Sequence, residues 1–188
     1  MTHSDQPAVA FAGVRLRRWV CGLATTLAFV NGAAVAWGQE LAEYQIKAGF
    51  LYNFAVLTNW PAEVGGSLNL CVYGRDPFGP ALDALKGKTV GLRTLVVQRR
   101  SGSESLKSCQ MVFIPLSEAA HIQHQIAALQ GLPILTVAES PEAARLGVML
   151  NLRFSGERIS FEANQGAARR AGLTLSSKML RLATEVVP

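Results

Sequence analysis

The chain has 188 residues, 49% hydrophobic and only 16% charged, with a formal net charge of +5. That length and apolar content fit one ordinary domain with a substantial core. Its basic residues occur at most as short groups, such as Arg99-Arg100 and Arg169-Arg170, and no aromatic-interleaved basic run argues for nucleic acid.

The N-terminal stretch "RLRRWVCGLATTLAFVNGAAVA" places Arg15, Arg17 and Arg18 before an uncharged apolar run and a tail of small residues. This order is that of a secretory signal peptide. Its apolar part is about a dozen residues, short of the roughly 20 that a membrane-spanning helix needs. Ala34-Val35-Ala36 fits the cleavage rule, so residues 1–36 are read as a removed leader, or 1–38 if the cut follows Gly38. Residues 39–188 then form the working domain. Cleavage after Ala36 takes three of 18 basic and one of 13 acidic residues, leaving 15 against 12, a net +3.

Cys21 leaves with the leader. It follows Trp19-Val20 and lacks the small residue that a lipoprotein site places before its cysteine. The exported chain keeps Cys71 and Cys109, and in an oxidising compartment one disulfide uses both. Cys71 lies inside a strand pattern and Cys109 leads into another, which favours a structural bridge over a reactive thiol. A redox-sensing role is the second reading.

"ELAEYQIKAGFLYNFAVLTNWP" reads as an amphipathic helix with overlapping stripes, Tyr44, Ala48, Leu51 and Ala55 beside Phe50, Phe54 and Leu57, stopped by Pro61. "SLNLCVYG" alternates Leu68, Leu70 and Val72 against Asn69, Cys71 and Tyr73, a strand with Cys71 facing away from the aliphatics. "DPFGPALDALKG" predicts a short helix and "TVGLRTLVVQRR" a second strand. "SCQMVFIP" is a third strand, followed by a helix over "LSEAAHIQHQIAALQG" with Ser117 at its cap. "LPILTVAES" is a fourth strand and "SPEAARLG" a helix of one or two turns, with Ser140 at the cap and Pro141 next.

The period then changes. "GVMLNLRFSGERISFEAN" has two period-two runs around Ser155-Gly156, a hairpin with Leu150, Leu152 and Phe154 on one face and Ile159, Phe161 and Ala163 on the return. A short helix gives way at Gly172, and a last helix runs from about Ser176 to Glu185. The expected fold is a single α/β domain, a mixed sheet with helices on both faces and a C-terminal hairpin plus helix.

Chemistry-bearing patterns are scarce. His121 and His124 share a helix with Glu118, but no third ligand stands at zinc spacing. There is no G-x-S-x-G, no S-x-x-K at Ser176-Ser177-Lys178, no phosphate-binding glycine loop and no C-x-x-C. The residues favour a binding protein over an enzyme, with no cofactor or metal.

Four segments in order, "EYQIKAGFLYNFAVLTNWP", "LCVYGRDPFG", "CQMVFIP" and "ARRAGLTLSSKMLRLA", resemble the YfiR family from about Glu43 to Val186. The resemblance implies a small periplasmic repressor with no catalysis. Such a protein binds the periplasmic sensor domain of an inner-membrane diguanylate cyclase (YfiN-like) and holds cyclic di-GMP low. An outer-membrane lipoprotein (YfiB-like) sequesters it, releasing biofilm formation. A homodimer is also implied. Cys71 and Cys109 match family cysteines, whereas a second pair found in some members is missing from "AARLGVMLNLRF". The partner-binding region is expected in the C-terminal segment, with Phe161, Arg169, Leu173, Leu175 and Met179 as candidates, although apolar periodicity there first of all means core packing. The rival reading is a periplasmic solute-binding module, with a small anion resting where "GRDPFG" leads from a strand into a helix.

Overall fold

A computed structural model describes residues 41–188 apart from 63, 103 and 157, so the leader read in the first 38 lies outside the described residues. Helix α1 covers 41–56. Its inward stripe, Ala48, Leu51, Phe54 and Ala55, is buried. Where the helix runs out, the Trp60 indole donates to the Ala55 carbonyl at 3.1 Å and the Thr58 hydroxyl to that of Phe54 at 2.7 Å. These side chains satisfy carbonyls that a helix end leaves without intrahelical partners.

Strand β1 (Thr58–Asn59) pairs antiparallel with β9 (Thr174–Leu175) in a two-stranded sheet. The main sheet contains β2 (Ser67–Tyr73), β3 (Thr89–Val90), β4 (Arg93–Arg100), β5 (Met111–Ile114), β6 (Leu135–Ala138), β7 (Leu150–Ser155), β8 (Arg158–Asn164) and β10 (Glu185–Val187). Their spatial order is β10-β8-β7-β6-β5-β2-β4-β3. The run from β4 to β7 is parallel, β3 pairs antiparallel with β4 and β8 antiparallel with β7, and β10 lies parallel to β8. Both faces are covered, so β5 and β6 are buried at every position, as parallel strands usually are.

Alternation along β2 divides the interior. Leu68, Leu70 and Val72 join a core under α1, α4 (Gln165–Arg170) and α5 (Ser177–Leu182). Cys71 and Tyr73 join a second core under α3 (Ile122–Leu129). The mixed sheet with helices on both faces is thus the observed fold, hairpin included. Leu150, Leu152 and Phe154 lie opposite Ala163, Phe161 and Ile159.

Several local readings differ from what forms. "TVGLRTLVVQRR" is not one strand but β3 and β4 joined at Gly91-Leu92, because Gly91 takes φ 60° and turns the chain. "SPEAARLG" forms successive turns and no helix, since Glu142 adopts φ 62° directly after Pro141. Ser117 is not a cap: a 3-10 turn over Leu116–His121 begins after Pro115 and leads into α3. Helix α2 is only Pro80–Asp83. The last helix ends at Leu182, because Ala183 is extended, and Thr184 donates both its N–H and its hydroxyl to the Phe161 carbonyl. The chain is thereby turned into β10 alongside β8.

Candidate functional site

Helix α1 has an unusual distribution of polarity. Its only charged side chains in 41–56 are Glu43 and Lys47, and Lys47 points inward. The Lys47 ammonium pairs with Glu43 and, at 2.5 Å, with Glu139 at the end of β6. Glu139 also accepts from the Tyr44 hydroxyl and the Leu116 N–H, both at 3.1 Å. This satisfies a carboxylate that would otherwise be costly to bury. Leu41, Ile46 and Val56 meanwhile stand outward, 54%, 53% and 45% exposed, alongside Gln45, Gly49 and Asn53. The outer face of α1 therefore carries no charge.

That face runs into a groove of about 190 Å³ between α1 and α5, lined by Phe50, Phe54, Leu57, Phe161, Met179 and Leu182 together with Asn53 and Lys178. Phe161 is its anchor: its ring lies 4.9 Å from that of Phe54 and 6.1 Å from that of Phe50 in edge contacts. Helix α5 holds its position through Ser176, whose hydroxyl accepts from the Met179 N–H at 3.2 Å. Leu182 at the end of α5 is 63% exposed.

The candidates from the C-terminal segment take different places. Phe161 and Met179 are buried and line the groove, so they shape it from beneath. Leu173 and Leu175 are core, with Leu175 paired to Thr58 across the small sheet. Arg169 is exposed in the last turn of α4. The C-terminal motif alone did not point to the outward side of α1. The available signal was that Leu41, Ile46 and Val56 fall outside both apolar stripes of that helix, in a segment whose only charged residues are Glu43 and Lys47.

Cys71 and Cys109 are joined by a disulfide with Cα atoms 6.0 Å apart, and both residues are buried in the second core. Burial keeps attacking thiolates away and makes this bridge a structural staple. His121 lies 3.0 Å from Glu118 through Nδ1, and no group of three His, Cys, Asp or Glu side chains that could hold a metal occurs among the described residues. The proposed anion seat after "GRDPFG" is taken up internally. Asp76 accepts from the Phe78 N–H at 2.7 Å and pairs with Arg99 at 2.7 Å, ahead of a helix only four residues long. A cavity of about 580 Å³ between α3 and α4 has Arg170 as its sole ionisable lining group. Another of about 330 Å³ holds the Lys47–Glu139 network, whose charges already answer one another.

The α/β domain thus combines internally satisfied charges with an uncharged apolar face on α1. The chain belongs to the YfiR/HmsC-like family, whose model matches residues 44–184. Membership of that family implies a periplasmic regulator of cyclic di-GMP signalling. The fold is similar to that of a conserved domain protein from Vibrio cholerae O1 biovar El Tor, with a TM-score of 0.51 at 11% identity over 74% of this chain and 59% of that one. The chain thus spans about three-fifths of that protein's length. Among the described residues no helix is long and apolar enough to cross a membrane.

Proposed function

We propose that the protein is exported, works in the periplasm and represses an inner-membrane diguanylate cyclase by binding its periplasmic domain, with relief when an outer-membrane lipoprotein sequesters it. The observation that carries this reading is the charge-free outer face of α1 continuing into the Phe161 groove. A dimer of the kind the family likeness implies has to leave that face free.

Repression requires differential affinity for the inactive cyclase. Moving a two-state enzyme from 99% active to 1% active takes about 5.5 kcal/mol of preference. Full burial of a Val, Leu or Ile side chain yields about 1.5–3 kcal/mol. Leu41, Ile46, Val56 and Leu182 are each about half exposed, so covering all four supplies about 3–6 kcal/mol. Covering this face in the inactive complex but not in the active one would account for a preference of that size without any buried charge. The lipoprotein then needs only to compete for free repressor by mass action.

The test is cyclic di-GMP in the native host after deletion of the gene, complemented with the leader-bearing gene or a leaderless copy. The proposal expects a rise that only the exported form reverses. An unchanged level, with the protein verified as expressed in the parent, overturns it.

A further inference from the structure

The groove between α1 and α5 also constrains what docks there. Both of its walls are helices, whose backbone groups bond internally. An extended strand laid between them would find no ladder of partners for its own N–H and C=O groups, whereas a helix satisfies them itself. The floor is aromatic and aliphatic, and Met179 gives it an adaptable element. The charge beside the groove is basic: Lys178 lines it and Arg181 stands exposed three residues on along α5, and no ion pair among the described residues engages either. From Gln165 onward the chain carries Arg169, Arg170, Lys178 and Arg181 against the single acidic residue Glu185. Because the outer face of α1 is uncharged, the charge an incoming segment meets at this groove is positive.

We propose that the groove receives an amphipathic helix from the partner, whose apolar stripe lies on Phe50, Leu57 and Leu182 and whose flanking carboxylates meet Lys178 and Arg181. This rests on the reading of the outer face of α1 as the docking surface and adds the chemistry of what docks. Charge sets the orientation and selects against basic helices, while apolar contact with the groove holds the segment.

The experiment uses protein purified from the periplasmic fraction and two fluorescent peptides of about 18 residues, long enough to take up helix on binding. Both carry leucines at i, i+4, i+7 and i+11, one flanked by glutamates and the other by lysines. Fluorescence anisotropy should show the acidic peptide binding about tenfold more tightly or better, as expected for two attractive pairs replaced by two repulsive ones. Lys178→Glu/Arg181→Glu should reverse the preference, and Leu182→Asp should weaken the acidic peptide at least fivefold, with melting temperatures unchanged in both variants. Equal affinities, or a preference that survives charge reversal, overturn the proposal. So does uptake by phosphatidylglycerol vesicles that depends on Lys178 and Arg181 while the acidic peptide fails to bind. Copurification of a cyclase without peptide binding sinks this inference alone. Peptide binding with no effect of deletion on cyclic di-GMP sinks the functional reading alone.

Discussion

Removing the disulfide with Cys71→Ala/Cys109→Ala should take away a large share of the stability. The bridge joins residues 38 apart in sequence. In the chain-entropy model a loop of that size restricts the unfolded chain by about 13 cal/mol/K, or about 4 kcal/mol at room temperature. Both sulfurs are also core atoms beside Leu106, Val112 and Ile122, so their loss adds a packing deficit. Against a typical total of about 5–15 kcal/mol, that loss leaves about 1–11 kcal/mol, so the variant should still fold at 25 °C. The assay is urea unfolding followed by far-UV circular dichroism. With a slope of about 2 kcal/mol/M, the midpoint should fall by about 2 M, and the slope itself should rise because the unfolded chain is no longer cross-linked. A loss below about 1.5 kcal/mol with an unchanged slope would refute the argument that the bridge acts as a staple on the unfolded chain.

Lys47→Met should cost about 3–5 kcal/mol by leaving Glu139 buried without its cation, and Lys47→Met/Glu139→Gln should recover at least part of that loss. A double variant no more stable than the single one would mean that the pair is not coupled. Ser176→Ala should cost about 1 kcal/mol, because the Met179 N–H loses its cap, and a thermal melt unchanged within error would contradict this. The Asp83 carboxyl is held below the usual carboxylate range by hydrogen bonds from Lys86 and then Arg99. Since the folded state prefers the ionised form, this contribution is present above the ordinary carboxylate pKa and fades as pH falls through the lower folded value. An NMR titration should place the Asp83 midpoint below the ordinary aspartate value and move it upward in Lys86→Ala; a midpoint that stays put would remove the assigned cause.

The fold was legible where period and burial coincide. Leu68, Leu70 and Val72 alternate in the sequence because β2 separates two cores, and Ser155-Gly156 marks a turn between two period-two runs. It was hidden where a single backbone angle decides. Leu92 makes "TVGLRT" look like continuous strand, yet it sits fully exposed at the tip of the β3–β4 turn. Ser140-Pro141 is a sound helix start that Glu142 overrides with a positive φ. Strands β1 and β9 are two residues each, too short for any period, and β10 is made by pairing with β8 alone. The buried Lys47–Glu139 pair joins residues 92 apart, so no local pattern announces it. Nor could residue type show that Phe161 and Met179 form a floor while Leu182 stands free, because each fits the apolar pattern of its own element, Phe161 on β8 and the other two on α5.

Docking of the cyclase on the outward face of α1, with the groove beside it, is what the proposed repression requires. Its most direct measurement is affinity copurification of the membrane cyclase with wild-type protein and with Ile46→Asp/Leu182→Asp, two exposed positions whose change leaves the core intact. Cyclic di-GMP is measured in the same cells, with the variant matched to wild type in export level and melting temperature. The folded variant is expected to lose the cyclase, and cyclic di-GMP is expected to rise to the level of the deletion strain. A variant that still retains the cyclase and keeps cyclic di-GMP low would contradict it.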